Sequence, residues 1–287
     1  MGWKTSPSRL SLRKLNSKQE TGRVISCLFA WDNQRTGNFM TYCVGLRLDG
    51  GLVFASDTRT NAGFDNIAVF KKMHVWERQG DRVLVILSAG NLAVTQSVIS
   101  VLNEQMDAQT EHGGTSLLTV ETMYQAARVV GDAVREVRRV DGPALEAANS
   151  TFSASFILGG QIHGEPPRLF QIYAEGNFIE ATKDTPFFQI GEHKYGKPIL
   201  DRVARPEMSS GDAAKLILLS FDSTLRSNLS VGMPIDMMIY QRDSLSVGEQ
   251  RRIGPDDAYF KMLSKAWSEG LRNTFAHIDS YEGVIET

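Results

Sequence analysis

Cysteine is almost missing from this chain. Cys27 and Cys43 are the only two among 287 residues, too few for a disulfide framework or a four-cysteine zinc site. Five histidines are scattered with no HExxH or other ligand-like pairing, so the expected chemistry uses neither metal nor cofactor. No charge sign dominates: 31 Lys and Arg stand against 33 Asp and Glu, a net of −2, which argues against nucleic acid as a partner. Long apolar runs are missing too. Val83 to Leu87, and Leu216 to Phe221 between Lys215 and Asp222, fall well short of the ~20 residues of a membrane helix. No membrane partner is expected, and a reducing, cytoplasmic compartment is the default. What is present, 42% hydrophobic and 22% charged residues, is the composition of a globular chain with a large core.

The first 39 residues differ from the rest. They hold Lys4, Arg9, Arg13, Lys14, Lys18, Arg23 and Arg35 against Glu20 and Asp32, a local net of +5 that leaves −7 on the remainder. Together with the Ser-rich start, this marks a boundary near Met40. A secretory signal needs a 7–15-residue apolar core before a small-residue cleavage site; Val24 to Trp31 barely reaches that length and lacks the site. An Arg-rich, acid-poor transit peptide fits the first twenty residues better, and a propeptide is a further alternative. The preferred reading is a start assigned too far upstream, with Met40 as initiator. The expected organisation is a leader, residues 1–40, absent from the mature protein, and one domain over residues 41–287.

From Met40 onward the pattern alternates. Tyr42 to Leu48 and Leu52 to Ser56 are β-rich runs joined by Asp49-Gly-Gly51, a hairpin signal with an expected three-residue loop. Short strands follow at Val69–Phe70, Met73–Trp76 and Arg82–Ser88. Helices are expected through Leu92 to Leu102 and through Met123, Ala127, Val130, Val134 and Val137, whose 3–4 spacing makes one apolar stripe. Strands resume at 151–158, 168–174 and 187–190, then helices at about 193–205 and 210–226, then a strand at 234–240. A last helix, about Asp256 to Phe275, is expected to use Tyr259, Leu263, Trp267 and Leu271, either against the core or between subunits. Segregated runs of strands and helices argue for an α+β layered domain rather than a doubly wound parallel sheet.

The chemistry concentrates near Met40. Removal of an initiator methionine before a small residue would leave Thr41 with a free α-amine beside its own hydroxyl. That amine, with a pKa of ~8, can take the proton of a hydroxyl otherwise unreactive at neutral pH. A three-residue hairpin loop makes cross-strand partners sum to 100, setting Cys43 opposite Asp57 and making Asp57 the diagonal neighbour of Thr41 at roughly 7–8 Å; a shift of one residue would break this. A lysine fits that gap, and Lys71 or Lys72 supplies it, alternation sending the other to the opposite face. Alone, such a Lys-Lys pair reads more simply as a solvated strand edge. Ser88-Ala-Gly-Asn91 sits where a strand gives way to a helix, so the Gly90 amide is a candidate oxyanion donor, a plain turn being the simpler alternative.

Taken together, Thr41 after a methionine, Gly51-Leu-Val-Phe-Ala-Ser-Asp-Thr-Arg-Thr-Asn-Ala-Gly63, the Lys-Lys pair and Leu87-Ser-Ala-Gly90 resemble the N-terminal threonine peptidases of proteasome β-type. These are related to the bacterial HslV subunit. Within that family, Met40-Thr-Tyr-Cys-Val-Gly and Ser56-Asp-Thr-Arg-Thr-Asn-Ala-Gly are most like the bacterial Anbu, or ancestral β-subunit, group. The resemblance runs from about residue 41 to 240. It implies a four-layer αββα sandwich of the N-terminal-nucleophile (Ntn) hydrolase fold, followed by an extra C-terminal helical segment. It further implies Thr41 as nucleophile and base, Asp57 and Lys72 as supporting pair, Gly90 as oxyanion amide, and Ser230 as a serine bonding near the amine. Lys71 remains the alternative, because the spacing from Asp57 is one residue shorter than in relatives. Two departures stand out: Ser227 replaces an aspartate three residues before that serine, and Glu192 replaces a serine after Phe-x-x-Gly. Glu192 reads either as a replacement for the missing carboxylate or as a surface residue. Thr60, Asn61 and Ser88 are implied as pocket walls.

The function so implied is a self-compartmentalising threonine peptidase acting on peptide bonds through an acyl-enzyme. Its implied partners are copies of itself in a ring or spiral, a peptide substrate, and an ATPase or other regulator that no residue identifies. The alternatives are an amidohydrolase for small amides or peptides on the same scaffold, and a non-catalytic structural assembly subunit.

Overall fold

The protein is described by a computed structural model covering residues 41–61, 67–112 and 114–281; the expected leader lies outside these. Six strands come first: β1 (Tyr42–Leu48), β2 (Gly51–Asp57), β3 (Arg59–Asn61), β4 (Ile67–Val69), β5 (Met73–Arg78) and β6 (Arg82–Gly90). Helices α1 (Leu92–His112) and α2 (Met123–Ala147) follow, then β7 (Ala154–Ile162), β8 (Arg168–Ile172), β9 (Phe178–Glu180) and β10 (Phe187–Gly191). Helices α3 (Lys197–Val203) and α4 (Ser210–Ser227), strands β11 (Ile235–Gln241) and β12 (Glu249–Ile253), and helix α5 (Ala258–His277) complete the fold.

Two antiparallel five-stranded sheets, ordered β10-β1-β2-β11-β12 and β5-β6-β7-β8-β9, stack face to face. Alternation along the strands builds three apolar layers. Val83, Val85 and Leu87 of β6 point into the sandwich against Cys43, Leu52 and Phe54. Their neighbours Leu84 and Ile86 point outward to Val98 of α1 and Val130 and Val134 of α2. On the other sheet Val44, Leu46, Val53 and Ala55 pack against Leu216, Ile217 and Phe221 of α4, and against Phe260 and Leu263 of α5. A strand buried on both faces reads as a continuous apolar run, which is why Val83 to Leu87 has no polar break. The four-layer αββα arrangement is the one expected.

The β1–β2 hairpin departs from expectation by one residue. Its loop is Asp49-Gly50, and the pairs run Leu48 with Gly51 to Cys43 with Ser56. The cause is β11 on the far side of β2: Gly51 pairs with Gln241 there, and a Cβ on Gly51 would strike the Tyr240 carbonyl. Gly51 is therefore a strand residue that must lack a side chain, not a turn residue. Asp57 consequently stands level with Tyr42 rather than opposite Cys43.

Other corrections are local. Helix α3 is shorter than the expected 193–205, because residues 193 and 194 give their N–H groups to the Glu192 side chain instead. Helix α5 begins after Asp257, whose carboxylate caps Phe260 N at 2.9 Å. It buries Phe260 and Leu263, whereas Tyr259 and Leu271, expected on the stripe, are exposed. The sequence pattern does not mark strands β3, β9 and β12, and β4 ends at Val69, where it places the start of a strand.

Candidate active site

Thr41 sits at the head of β1, buried at 6% exposure. Its carbonyl accepts the Glu192 N–H at 2.7 Å. Gly191, just before, has φ +84, and a side chain there would run into the Thr41 carbonyl. Only glycine both tolerates that left-handed backbone and leaves room for the close approach. The end of β10 is thereby pressed onto the start of β1.

Asp57 ends β2 with no solvent exposure. One carboxylate oxygen, Oδ1, accepts the next backbone N–H of β1, from Tyr42, at 3.0 Å. The same oxygen accepts Lys72 Nζ at 2.8 Å, the two side chains being 0% and 5% exposed. Oδ2 receives the Gly232 N–H at 3.4 Å. Burial pushes the Asp57 carboxyl up to about 6, while the Lys72 ammonium and the Tyr42 and Gly232 N–H groups pull it down. Lys72 also donates to the Arg59 carbonyl at 2.6 Å, and its own carbonyl takes the Ser88 N–H at 3.0 Å. Alternation about the start of β5 sends Lys71 outward to solvent.

Ser88 is buried on β6, and its carbonyl accepts the Cys43 thiol at 3.6 Å. Gly90, exposed, closes β6 opposite Ala154. Asn91 then caps α1, its Oδ1 accepting the Ala93 and Val94 N–H groups at 3.0 and 3.4 Å. The transition from strand to helix at Gly90 is as the sequence indicates. Thr60, half-buried, and Asn61 lie on β3, paired in the backbone with Ala68 and Ile67; the Asn61 side chain lies outside the described residues.

Of the two alternatives that the sequence offers for Glu192, the surface residue is overturned. Glu192 is 7% exposed. Its Oε1 accepts the N–H groups of His193 and Lys194, each at 2.8 Å, and its Oε2 accepts the Asn228 side-chain amide. Burial works to raise its pKa, but the hydrogen bonds from Lys194, Asn228 and His193 outweigh it and hold the carboxyl below the usual range. Asn228 Oδ1 in turn accepts the Ser230 N–H at 2.9 Å. Ser227 ends α4 in solvent, and Ser230 is half-buried. Asn228 and Gly191 are the residues that sequence reasoning missed. The only sign of Asn228 is a polar residue just past a helix, common enough to mean nothing alone.

The family model described as "Proteasome subunit" matches residues 40–240. Among solved structures, the Anbu (Gly-1) mutant from Hyphomicrobium sp. strain MC1 is 62% identical with a TM-score of 0.78, the match covering 84% of this chain and 99% of that one. Anbu from Yersinia bercovieri is 51% identical with a TM-score of 0.78, covering 84% and 99%. The helical assembly of the Anbu complex from Pseudomonas aeruginosa is 49% identical with a TM-score of 0.79, covering 84% and 98%. No curated protein matches.

Proposed function

The chain belongs to the proteasome-subunit family, on its Anbu-like β-type branch, and from that premise we propose that it is an N-terminal threonine peptidase acting from Thr41. The observation that carries the reading is the buried Lys72–Asp57 pair, 2.8 Å apart, locked to the backbone of the residue after Thr41 by the 3.0 Å bond from Tyr42 N. A carboxylate and an ammonium withdrawn from water cost several kcal/mol of desolvation each. A purely structural subunit has no evident use for that cost beside a threonine.

Once Thr41 is the first residue, its α-amine takes the hydroxyl proton as Oγ attacks the substrate carbonyl carbon. The Lys72 ammonium, held in place by its contact with Asp57, stabilises the negative charge that builds up during attack. The Gly90 amide at the end of β6 donates to the carbonyl oxygen as it becomes an oxyanion. Collapse expels the amine half of the substrate, which leaves with the proton carried by the α-amine. The acyl group stays as an ester on Thr41 Oγ. A water, deprotonated by the same amine, then releases the acid and restores the hydroxyl.

Peptides are the proposed substrates, in the cytoplasm, with copies of the chain assembling around the sites. The helical assembly of the Pseudomonas aeruginosa relative supports self-association. Among the described residues no helix is long and apolar enough to cross a membrane.

Intact mass of the purified protein and labelling with an electrophilic β-lactone test the reading together. A mature start at Thr41 and one adduct, lost in Thr41→Ala while assembly is kept, are expected. A stable product still carrying residues before Thr41, or unchanged labelling of Thr41→Ala, would move the chain to the structural role.

A further inference from the structure

The turn from Asn228 to Gly232 connects α4 to β11 and is tied down at both ends of the proposed site. At one end Gly232 N reaches Asp57 Oδ2 at 3.4 Å. At the other, Asn228 bonds the Glu192 carboxylate, and the backbone N–H of Glu192 is on the Thr41 carbonyl at 2.7 Å. Between them Leu229 O accepts Arg59 Nη1 at 3.0 Å, and Arg59 O accepts Lys72 Nζ. Glu192 and Asn228 are 36 residues apart and come from different elements, so their bond ties the Thr41 end of β1 to the far end of α4.

From this closed circuit we infer that Glu192 is a positioning residue, acting through Asn228 to hold the 228–232 turn, and with it Ser230 and the Gly232 amide, in register with Thr41 and Asp57. The inference rests on the Thr41 reading. Polarity makes it specific. Glu192 Oε1 is occupied by two backbone N–H groups, so Oε2 alone faces Asn228. Asn228 must present its NH2 to Glu192, because its oxygen is held by Ser230 N.

Glu192→Gln therefore sets a donor against a donor. Rotating the Asn228 amide would repair that contact only by placing NH2 against the Ser230 N–H. Adding Asn228→Asp reverses the polarity: the introduced glutamine amide now donates, and the introduced aspartate oxygens accept both from it and from the Ser230 N–H. Small errors in placing a nucleophile cost large rate factors, so the rate of β-lactone adduct formation at Thr41 is the readout, beside the thermal midpoint.

Glu192→Gln is expected to slow labelling by about tenfold or more, and Glu192→Gln with Asn228→Asp to return it to within about threefold of the parent. Asn228→Ala, at a half-buried site, serves if Glu192→Gln does not fold. It is expected to slow labelling similarly, and no further when combined with Glu192→Gln, since coupled residues are non-additive. Labelling of Glu192→Gln at the parental rate, or a folded double variant as slow as the single one, would overturn the inference while leaving the Thr41 reading intact. A parental protein that forms no adduct at Thr41 would overturn both.

Discussion

Lys72 and Asp57, fifteen residues apart, close a 2.8 Å ion pair with almost no solvent on either side chain. The pair is asymmetric in its surroundings. Asp57 also receives two backbone N–H groups, from Tyr42 and Gly232, whereas Lys72 spends a second proton on the Arg59 carbonyl. Even so, burial keeps the carboxyl near 6, well above its usual value. The charged state of Asp57 therefore depends on its lysine.

Replacing Lys72 with methionine should make stability sharply pH-dependent. Removing one partner of a buried pair strands the other charge and costs about 3–5 kcal/mol. An acid whose folded pKa is raised contributes stability that is full below its unfolded value, near 4, and lost as pH rises through the folded one. Without the ammonium the folded pKa of Asp57 climbs above 6. The Lys72→Met penalty should thus be small at pH 5 and approach its full size at pH 8. Urea unfolding at both values checks it; a penalty equal at the two would contradict the pairing.

Labelling of the intact protein should run the other way. Below about 6 Asp57 gains a proton, the ion pair is lost, and the Lys72 ammonium loses its anchor. Adduct formation at Thr41 should fall through that range, apart from any slope due to the α-amine near ~8. A rate profile with no acid limb between pH 5 and 7 would exclude a role for Asp57 ionisation.

The layer order was legible because its strands and helices are short apolar runs of clear period, and Thr41, Asp57 and the Lys-Lys pair because they lie within one 32-residue stretch from Thr41 to Lys72. What escaped was set by distant partners. Gly51 looks like a turn glycine, and only the Tyr240 carbonyl behind it makes it a strand residue and moves the hairpin register. Strand β12, Glu249-Gln-Arg-Arg-Ile253, has no apolar alternation; it is an edge held to β11 partly by the Arg252–Asp236 bonds at 2.6 and 2.8 Å, and charged edges are how sheets avoid further pairing. The choice between Lys71 and Lys72 needed the phase of a strand start, which one residue of error reverses. The Glu192–Asn228 link joins a strand end to a helix end, and no local pattern marks it.

Gly191→Ala probes the other wall of the site. A non-glycine residue at φ +84 costs about 1–2 kcal/mol, and here the added methyl also meets the Thr41 carbonyl. A loss of about 2 kcal/mol or more in unfolding experiments is expected, with slower labelling because Thr41 is the group that must yield. Normal stability with normal labelling would mean that β10 can withdraw from β1 without consequence, against the 2.7 Å bond from Glu192 N.

Helix α5 offers a test of which stripe holds it. The sequence pattern favours Tyr259, Leu263, Trp267 and Leu271, but Leu271 is 53% exposed, and only Phe260 and Leu263 are buried against the sheet and α4. A buried leucine cut to alanine loses its transfer free energy and leaves a cavity, about 2–5 kcal/mol together, whereas an exposed one costs within about 0.5 kcal/mol. Leu263→Ala should therefore lower the stability of the dissociated chain by several times the effect of Leu271→Ala, read by urea unfolding at high dilution. If Leu271→Ala proves harmless there yet weakens self-association by sedimentation, the exposed side of α5 faces another copy. Equal losses for the two variants in the dissociated chain would instead mean that α5 packs on the stripe the sequence suggests.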